Sequence, residues 1–131
     1  MCPCGSGAGY ESCCGRLHRG EGVAATAEQL MRSRFSAFAV GDAAYLGAPW
    51  HPSTRPSRRE LDAAVGRDRR WTRLEVLRSA GGFLDSEGTV EFRAHWAGAG
   101  GPGVMAETSR FVRADRTWLY VGPVGAAPGP A

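Results

Sequence analysis

This sequence of 131 residues has no lysine, and it has no cysteine after residue 14. All sixteen basic residues are arginine, which drift in a GC-rich genome explains more simply than selection for phosphate binding does. The formal net charge of +3 is too small to imply a polyanionic partner by itself. No apolar run is long enough to span a membrane, and the N-terminus lacks the basic and apolar regions of a signal peptide. We therefore expect a cytoplasmic protein with reduced thiols and no membrane partner.

The length and composition indicate one globular domain with at most a small appendage. Apolar residues make up 43% of the chain and charged residues 22%, which is ordinary for a globular protein. A chain of this length can bury a core without disulfides. The sequence leaves the oligomeric state open, a homodimer included.

The four cysteines all lie in the opening stretch MCPCGSGAGYESCC, at Cys2, Cys4, Cys13 and Cys14. Zinc takes four thiolates at about 2.3 Å, and a short loop can bring two close pairs to one ion. Glycines at 5, 7 and 9 allow that loop to turn with positive φ. Disulfides suit a secreted chain better, and redox-active thiols are the other alternative. The pattern predicts a closed structural site for zinc or, as an alternative, iron.

Three polar residues just beyond the cysteines also bear on this site. We expect Arg16 and Arg19 to offset part of the negative charge of four thiolates. His18 is conceivable as a substitute ligand. With four thiols present, we interpret it instead as a polar surface residue.

The run Cys-Pro-Cys-Gly-Ser-Gly, whose second cysteine is followed after eight intervening residues by Cys-Cys-Gly, resembles the SEC-C motif. This small zinc-binding element ends the SecA translocation ATPase and also occurs in other bacterial proteins. In SecA the last ligand is usually histidine, whereas here it is Cys14. The resemblance implies metal binding and, as in SecA, docking on a macromolecule such as the ribosome or a secretion chaperone.

Helical signals occupy the first half of the chain. Thr26 and Gln29 form a capping box, which predicts a helix with a buried stripe at Leu30, Met31, Phe35 and Phe38. Gly41 ends this helix, and Asp42 caps a short second one. A second capping box, Ser57 with Glu60, begins a third helix that Gly66 ends.

After Trp71 the apolar period changes to two, which indicates strands. Four strands are predicted at residues 72–79, 89–96, 104–112 and 117–122, separated by glycine- and aspartate-rich turns. Consecutive strands with short loops form an antiparallel meander. Helices followed by strands indicate an α+β fold, with the helices packed on one face of the sheet.

The segments LMRSRFSAFAVGDAAYL, WHPSTRP, ETSRF and WLY resemble the YchJ family of bacterial proteins. The resemblance implies a SEC-C knuckle followed by a cone-shaped nuclear-transport-factor-two-like (cystatin-like) domain, in which an extra short strand can lie between helices. We accordingly predict a knuckle at residues 1–20, a cone domain at 23–124 and a disordered tail at 125–131.

The cone fold often encloses a pocket, for which the sequence offers six candidate residues: Trp50, His51, Arg93, His95, Glu107 and Trp118. An acid and a histidine beside aromatic walls suit proton transfer. The alternative interpretation is structural. In it Glu107 forms a cross-strand ion pair with Arg93 or Arg110, and His51 caps a turn.

Two classes of function follow. The first, which the SEC-C knuckle favours, is an adaptor protein whose knuckle docks on a macromolecule. The alternative is a small-molecule binder or lyase-type enzyme that uses the cone pocket. The arginine-rich run at residues 55–73 offers at most a weak RNA contact and is better read as a solvated face. We expect any zinc to be structural rather than catalytic, because four thiolates leave no open position. A deep polar pocket would favour the second class.

Overall fold

A computed structural model describes residues 1–66, 69–82 and 84–124. The predicted tail at 125–131, and Arg67 of the arginine-rich run, lie outside the described residues. Across the described ranges, no helix has both the length and the apolar character needed to cross a bilayer.

Four long strands form one antiparallel sheet in the order β1-β2-β3-β4, as the sequence predicts. The strands are β1 (Arg69–Ala80), β2 (Glu87–Gly98), β3 (Gly103–Ala114) and β4 (Thr117–Pro123). Each is longer than its apolar alternation indicates, because the hairpin pairing continues into polar residues near the turns. Trp50 forms an isolated parallel bridge to Tyr120. This single pairing stands where the cone fold allows an extra short strand.

Strand β1 does not alternate strictly. Its register against β2 shifts between Trp71 and Arg73, and again between Val76 and Arg78. A bulge inserts one extra residue and re-aims the side chains that follow it. Trp71 and Leu74 therefore both face the core although three positions separate them.

Three helices follow one another along the chain, α2 (Ala27–Val40), α3 (Ala43–Gly47) and α4 (Arg58–Val65). Asp42 and Ser57 cap α3 and α4 as predicted. At α2 the Thr26 side chain accepts from the Gln29 amide at 3.1 Å. The Gln29 side chain, however, accepts from the Ala25 amide and not from Thr26, because it reaches one residue further back. The reciprocal half of the predicted capping box is therefore displaced.

Helix α2 packs across the sheet and forms most of the main core with it. Its buried side chains Leu30, Met31 and Phe35 meet buried side chains of β2, β3 and β4, among them Phe92, Phe111 and Trp118. The first turn of α2 lies against the β1–β2 hairpin, where the Ala27 amide donates to the Gly81 carbonyl at 3.1 Å. Gly81 has φ of +115° and Gly88 leaves no room for a side chain, so only glycines permit this approach.

The first twenty residues fold into a 3₁₀ turn (Tyr10–Ser12) and a short helix, α1 (Cys14–His18). The sequence pattern does not predict either element, since both are too short to show a period. Leu17 on α1 is 5% exposed and belongs to the main core. The knuckle, which comprises residues 1–20, is thus packed against α2.

Candidate functional site

The four cysteine sulfurs come together in the knuckle. Their Sγ atoms all lie within 4.8 Å of one another, and Cys4 Sγ is 3.7 Å from Cys13 Sγ. A tetrahedron with metal–sulfur bonds of about 2.3 Å has edges of about 3.8 Å. Cys2, Cys4 and Cys14 are buried, and Cys13 is half-buried. The donor set and the spacing therefore fit one tetrahedral metal ion.

A glycine-rich turn and α1 present these sulfurs. Gly5 and Gly7 have φ of +81° and +88°, as predicted, whereas Gly9 has an ordinary φ of −70°. The Cys2 amide donates to the Ala8 carbonyl at 2.8 Å and closes the turn. The 3₁₀ turn then leads into α1, which places Cys14 beside the first pair.

The four thiols of the cluster differ in pKa because their hydrogen bonds and burial differ. A hydrogen bond with Cys14 lowers the pKa of Cys4 to about 4, and the same contact raises the pKa of Cys14. Desolvation by burial raises the pKa of Cys13. Ser6 Oγ lies 3.2 Å from Cys13 Sγ, and Ser36 Oγ lies 3.5 Å from Cys2 Sγ. A metal requires the deprotonated forms, so binding releases protons.

Arg19 is paired with carboxylates. Its guanidinium donates to Glu11 at 2.6 Å and to Glu21 at 2.8 Å. Arg32 on α2 also contacts the loop that carries the cysteines, where its Nη1 donates to the Cys4 carbonyl at 2.7 Å. The sequence pattern does not link residues so far apart.

His18 is not a surface residue, contrary to the sequence interpretation. Its side chain is 3% exposed, with Nε2 2.9 Å from the Ser33 carbonyl and Nδ1 2.6 Å from the Tyr10 hydroxyl. A carbonyl can only accept, so Nε2 carries the proton and Nδ1 accepts from tyrosine. The histidine thereby ties α1 to α2, and both ring nitrogens are used.

A cavity of about 270 Å³ lies between α2, α4 and the inner face of the sheet. Most of its wall is apolar or aromatic. The residues that line it are Met31, Arg34, Phe35, Phe38, Trp50, Ala64, Val65, Arg69, Trp71, Phe92, Ala94, Met105, Glu107, Ser109 and Tyr120.

Of the six predicted pocket residues, the structure brings Trp50 and Glu107 to this cavity. Trp118 is buried in the core beyond it, where Nε1 donates to the Ala25 carbonyl. Arg93 and His95 lie on the outer face of β2, because the inner positions are taken by Phe92 and Ala94. The pocket prediction is therefore corrected for these three residues.

His51 also does not line the cavity. Its amide donates to the Tyr120 carbonyl at 2.8 Å, and Nδ1 accepts from the Ser53 hydroxyl at 2.7 Å. This matches the interpretation of His51 as a turn cap. The acid–histidine pair that the catalytic alternative requires is not brought together in the cavity, since His95 instead contacts Glu75 at 2.6 Å outside it.

Glu107 faces inward with Ser109, whose hydroxyl donates to its carboxylate at 2.9 Å. The predicted ion pair of Glu107 with Arg93 or Arg110 is absent among the described residues. Arg110 lies 3.8 Å from Glu87 on the opposite face of the sheet, because alternation separates it from Glu107. Glu107 thus supplies an acceptor to the cavity.

Arg34 is the functional residue that sequence reasoning missed. It is 4% exposed, and its Cζ lies 3.5 Å from the Tyr120 ring centroid and 4.6 Å from that of Trp50. Its Nε and Nη1, together with Trp50 Nε1, are buried without a hydrogen-bond partner among the described residues. Burial lowers the pKa of Arg34 to about 10, so the guanidinium is charged at neutral pH. Its place between Met31 and Phe35 on the apolar stripe was the available signal.

Comparisons with known proteins agree with this architecture. Residues 26–123 match the family model for the middle, nuclear-transport-factor-two-like domain of YchJ, and residues 1–16 match the SEC-C motif. A UPF0225 protein of Streptomyces coelicolor is 51% identical over 91% of this chain and 90% of its own length. One of Corynebacterium glutamicum is 48% identical over 91% and 92%.

Two solved structures of SEC-C motif proteins superpose on this chain. The solution structure from Rhodopseudomonas palustris has a TM-score of 0.84 and 34% identity, covering 93% of this chain and 95% of that one. The crystal structure from Psychrobacter arcticus has a TM-score of 0.79 and 25% identity, covering 95% and 81%.

Proposed function

This chain belongs to the YchJ family, and on that premise we propose that it is a binding protein whose cone-domain cavity takes a small molecule, with a structural zinc ion in the knuckle. The observation that carries the proposal is the cavity of about 270 Å³ with Arg34 and Glu107 in a mostly apolar wall, which differs from the deep polar pocket named above as a sign of this class. Pockets with apolar walls and few polar groups are typical ligand sites. The volume lies just below the usual range of roughly 300–1,000 Å³, which suits a one-ring ligand.

Binding is favoured over catalysis by the groups that surround Glu107. A general base needs a proton to take within hydrogen-bond reach and a partner that orients it. Ser109 donates to the Glu107 carboxylate, while both histidines of the catalytic alternative are engaged elsewhere. The cavity therefore offers recognition groups without an acid–base pair.

The methionine methyl groups provide the test. Met31 and Met105 line the cavity, whereas Met1 is 91% exposed and serves as an internal control. With ¹³C-methyl methionine labelling, benzyl alcohol should shift the Met31 and Met105 signals saturably and leave Met1 unchanged.

A cavity-filling variant is the matched control. Ala94 is 3% exposed and lines the cavity, so Ala94→Phe should abolish these shifts while the amide spectrum still reports a folded chain. Equal shifts at Met1, or shifts that persist in Ala94→Phe, would contradict binding in the cavity.

The proposed metal is zinc, held by Cys2, Cys4, Cys13 and Cys14. Four thiolates complete a tetrahedral shell, which gives a structural ion and leaves no open position for water. Purified, reduced protein should contain about one zinc ion per chain by elemental analysis. Iron in its place would identify the alternative occupant, and protein without metal would contradict the site. Cys13→Ser, with three sulfurs left, should lower the zinc content.

Docking through the knuckle is the second candidate function, favoured by the SEC-C match at residues 1–16 and by the exposed turn at residues 5–9. Co-sedimentation with purified ribosomes, and pull-down of a purified secretion chaperone, test it directly. Arg16→Glu on the exposed side of the knuckle should weaken such a contact, and Arg78→Glu on the far sheet face serves as control. Failure to bind either partner would remove this candidate.

A further inference from the structure

The cavity contains a buried cation, Arg34, that is not held in an ion pair by any described residue. Arg34 forms no ion pair within 4.0 Å among the residues that the structure describes, and two of its nitrogens have no hydrogen-bond partner. A buried charge normally has partners, because the cost of removing it from water is several kcal/mol. The ring faces of Tyr120 and Trp50 hold the guanidinium in place but do not accept its N–H hydrogens in the manner of an oxygen.

We propose that the cavity binds a small aromatic or aliphatic monocarboxylate, whose negative charge is balanced by the buried guanidinium of Arg34 in the cavity wall. This rests on the proposed function and names its ligand class. Guanidinium presents parallel N–H donors that match the two oxygens of a carboxylate. Trp50, whose indole N–H is also buried without a partner among the described residues, lines the same cavity.

The charges around the cavity select an anion with a single negative charge. Arg34 lies inside, and Arg69 lies at the exposed rim, with Cζ 4.4 Å from the Trp96 ring centroid. Glu107 is the acid among the lining residues. Two positive groups and one negative group leave one positive charge for the ligand to balance. A phosphate dianion would exceed it and would require more donors than this apolar wall supplies.

The apolar part of the wall determines which organic group of a carboxylate ligand fits the cavity. Phe35, Trp71 and Phe92 bound the cavity together with Met31 and Met105. These side chains offer mainly dispersion contacts. Acetate therefore matches the charge alone, whereas benzoate or phenylacetate matches both the charge and the apolar wall.

The test compares charged and neutral probes of the same shape on the full-length, zinc-loaded chain. Benzoate and benzamide are titrated against the Met31 and Met105 methyl signals and the Arg34 Nε–H resonance. We expect benzoate to bind at least about tenfold more tightly than benzamide. Acetate and inorganic phosphate should bind more weakly than benzoate.

Variants assign the preference to one side chain. Arg34→Met should remove the preference for benzoate and retain the benzamide affinity, and Arg34→Lys should retain part of the preference. Glu107→Gln should tighten benzoate binding, because it removes a neighbouring like charge. Arg93→Met on the outer face should change nothing.

The outcomes separate the two proposals. Equal affinities for benzoate and benzamide would overturn the carboxylate inference and leave the cavity as a ligand site. An unchanged preference in Arg34→Met would also overturn it. If neither probe, nor benzyl alcohol, shifts the cavity methyls, the proposed function fails together with the inference.

Discussion

At the scale of single residues, the buried charge of Arg34 lowers the stability of the fold. Cation–π contacts with Tyr120 and Trp50 contribute about 2 kcal/mol when desolvated, whereas burying an unpaired charge costs several kcal/mol. Methionine has a similar length and no charge. We therefore expect Arg34→Met to leave the free energy of unfolding unchanged or to raise it by up to about 2 kcal/mol in a urea titration.

Arg32→Met is the matched control on the same helix. Arg32 donates to the Cys4 carbonyl at 2.7 Å and to Glu28 at 3.0 Å, so its loss should cost about 1–2 kcal/mol of unfolding free energy. A comparable loss in Arg34→Met would mean that Arg34 is a structural residue, against the role assigned to it here.

The sequence predicted residues whose chemistry is local and missed those whose partners are distant. The four cysteines lie within one short loop, so their spacing alone indicates a cluster. His18 and Arg34 are polar residues that the fold buries through contacts with other elements, His18 with Ser33 and Arg34 with Tyr120. For Arg34 the only local signal was its place on the apolar stripe of α2, and His18 had none.

At the scale of elements, the capping box makes the stability of α4 depend on pH through the carboxyl group of Glu60. Ser57 hydrogen bonds, first from the backbone amide and then from the side chain, lower the pKa of Glu60 below its ordinary value of 4.5. The stabilisation is present above that value and is lost as the pH falls through the lower pKa of the folded state.

A carboxyl ¹³C titration measures this shift. Ser57→Ala removes the hydroxyl but keeps the amide, so the pKa of Glu60 should return only part of the way to its ordinary value. The pKa of Glu75, lowered mainly by His95, should be unaffected by that substitution. A Glu60 pKa that does not move in Ser57→Ala would contradict the side-chain part of the cap.

Helix and strand assignments succeeded where caps and periods were strong and failed where they were absent. Gly41 ends α2 in a left-handed conformation with φ of +80°, as expected. The short helix α1 and the bulges of β1 were missed. Both depend on tertiary contacts: α1 lies beside the sulfur cluster, and β1 adjusts its register to β2.

At the scale of the whole molecule, the sequence predicts that loss of metal unfolds the knuckle and leaves the cone domain folded. The knuckle has few apolar residues of its own, so the metal supplies its folding free energy. Leu17 leaves the core when the knuckle opens, and burial of a leucine contributes about 1.5–3 kcal/mol. We expect the cone domain of the metal-free chain to be folded but less stable by about that amount.

Hydrogen exchange with and without a zinc chelator checks this expectation. Amides of residues 1–20 should lose protection fully, and those of β2 and β3 should keep most of theirs. A single cooperative loss of protection throughout the described chain would show instead that knuckle and cone domain fold as one unit.

Helix α2 contacts the knuckle on one side and the cavity on the other. Arg32, Ser33 and Ser36 contact the knuckle, while Met31, Arg34 and Phe35 line the cavity one residue away. Zinc binding and benzoate binding both fix the position of α2, so the two equilibria are thermodynamically linked. Linkage is reciprocal: the factor by which zinc raises the affinity for benzoate equals the factor by which benzoate raises the affinity for zinc. Chelator competition should therefore give a lower zinc dissociation constant with benzoate than without it. An identical constant would show that α2 does not couple the two sites.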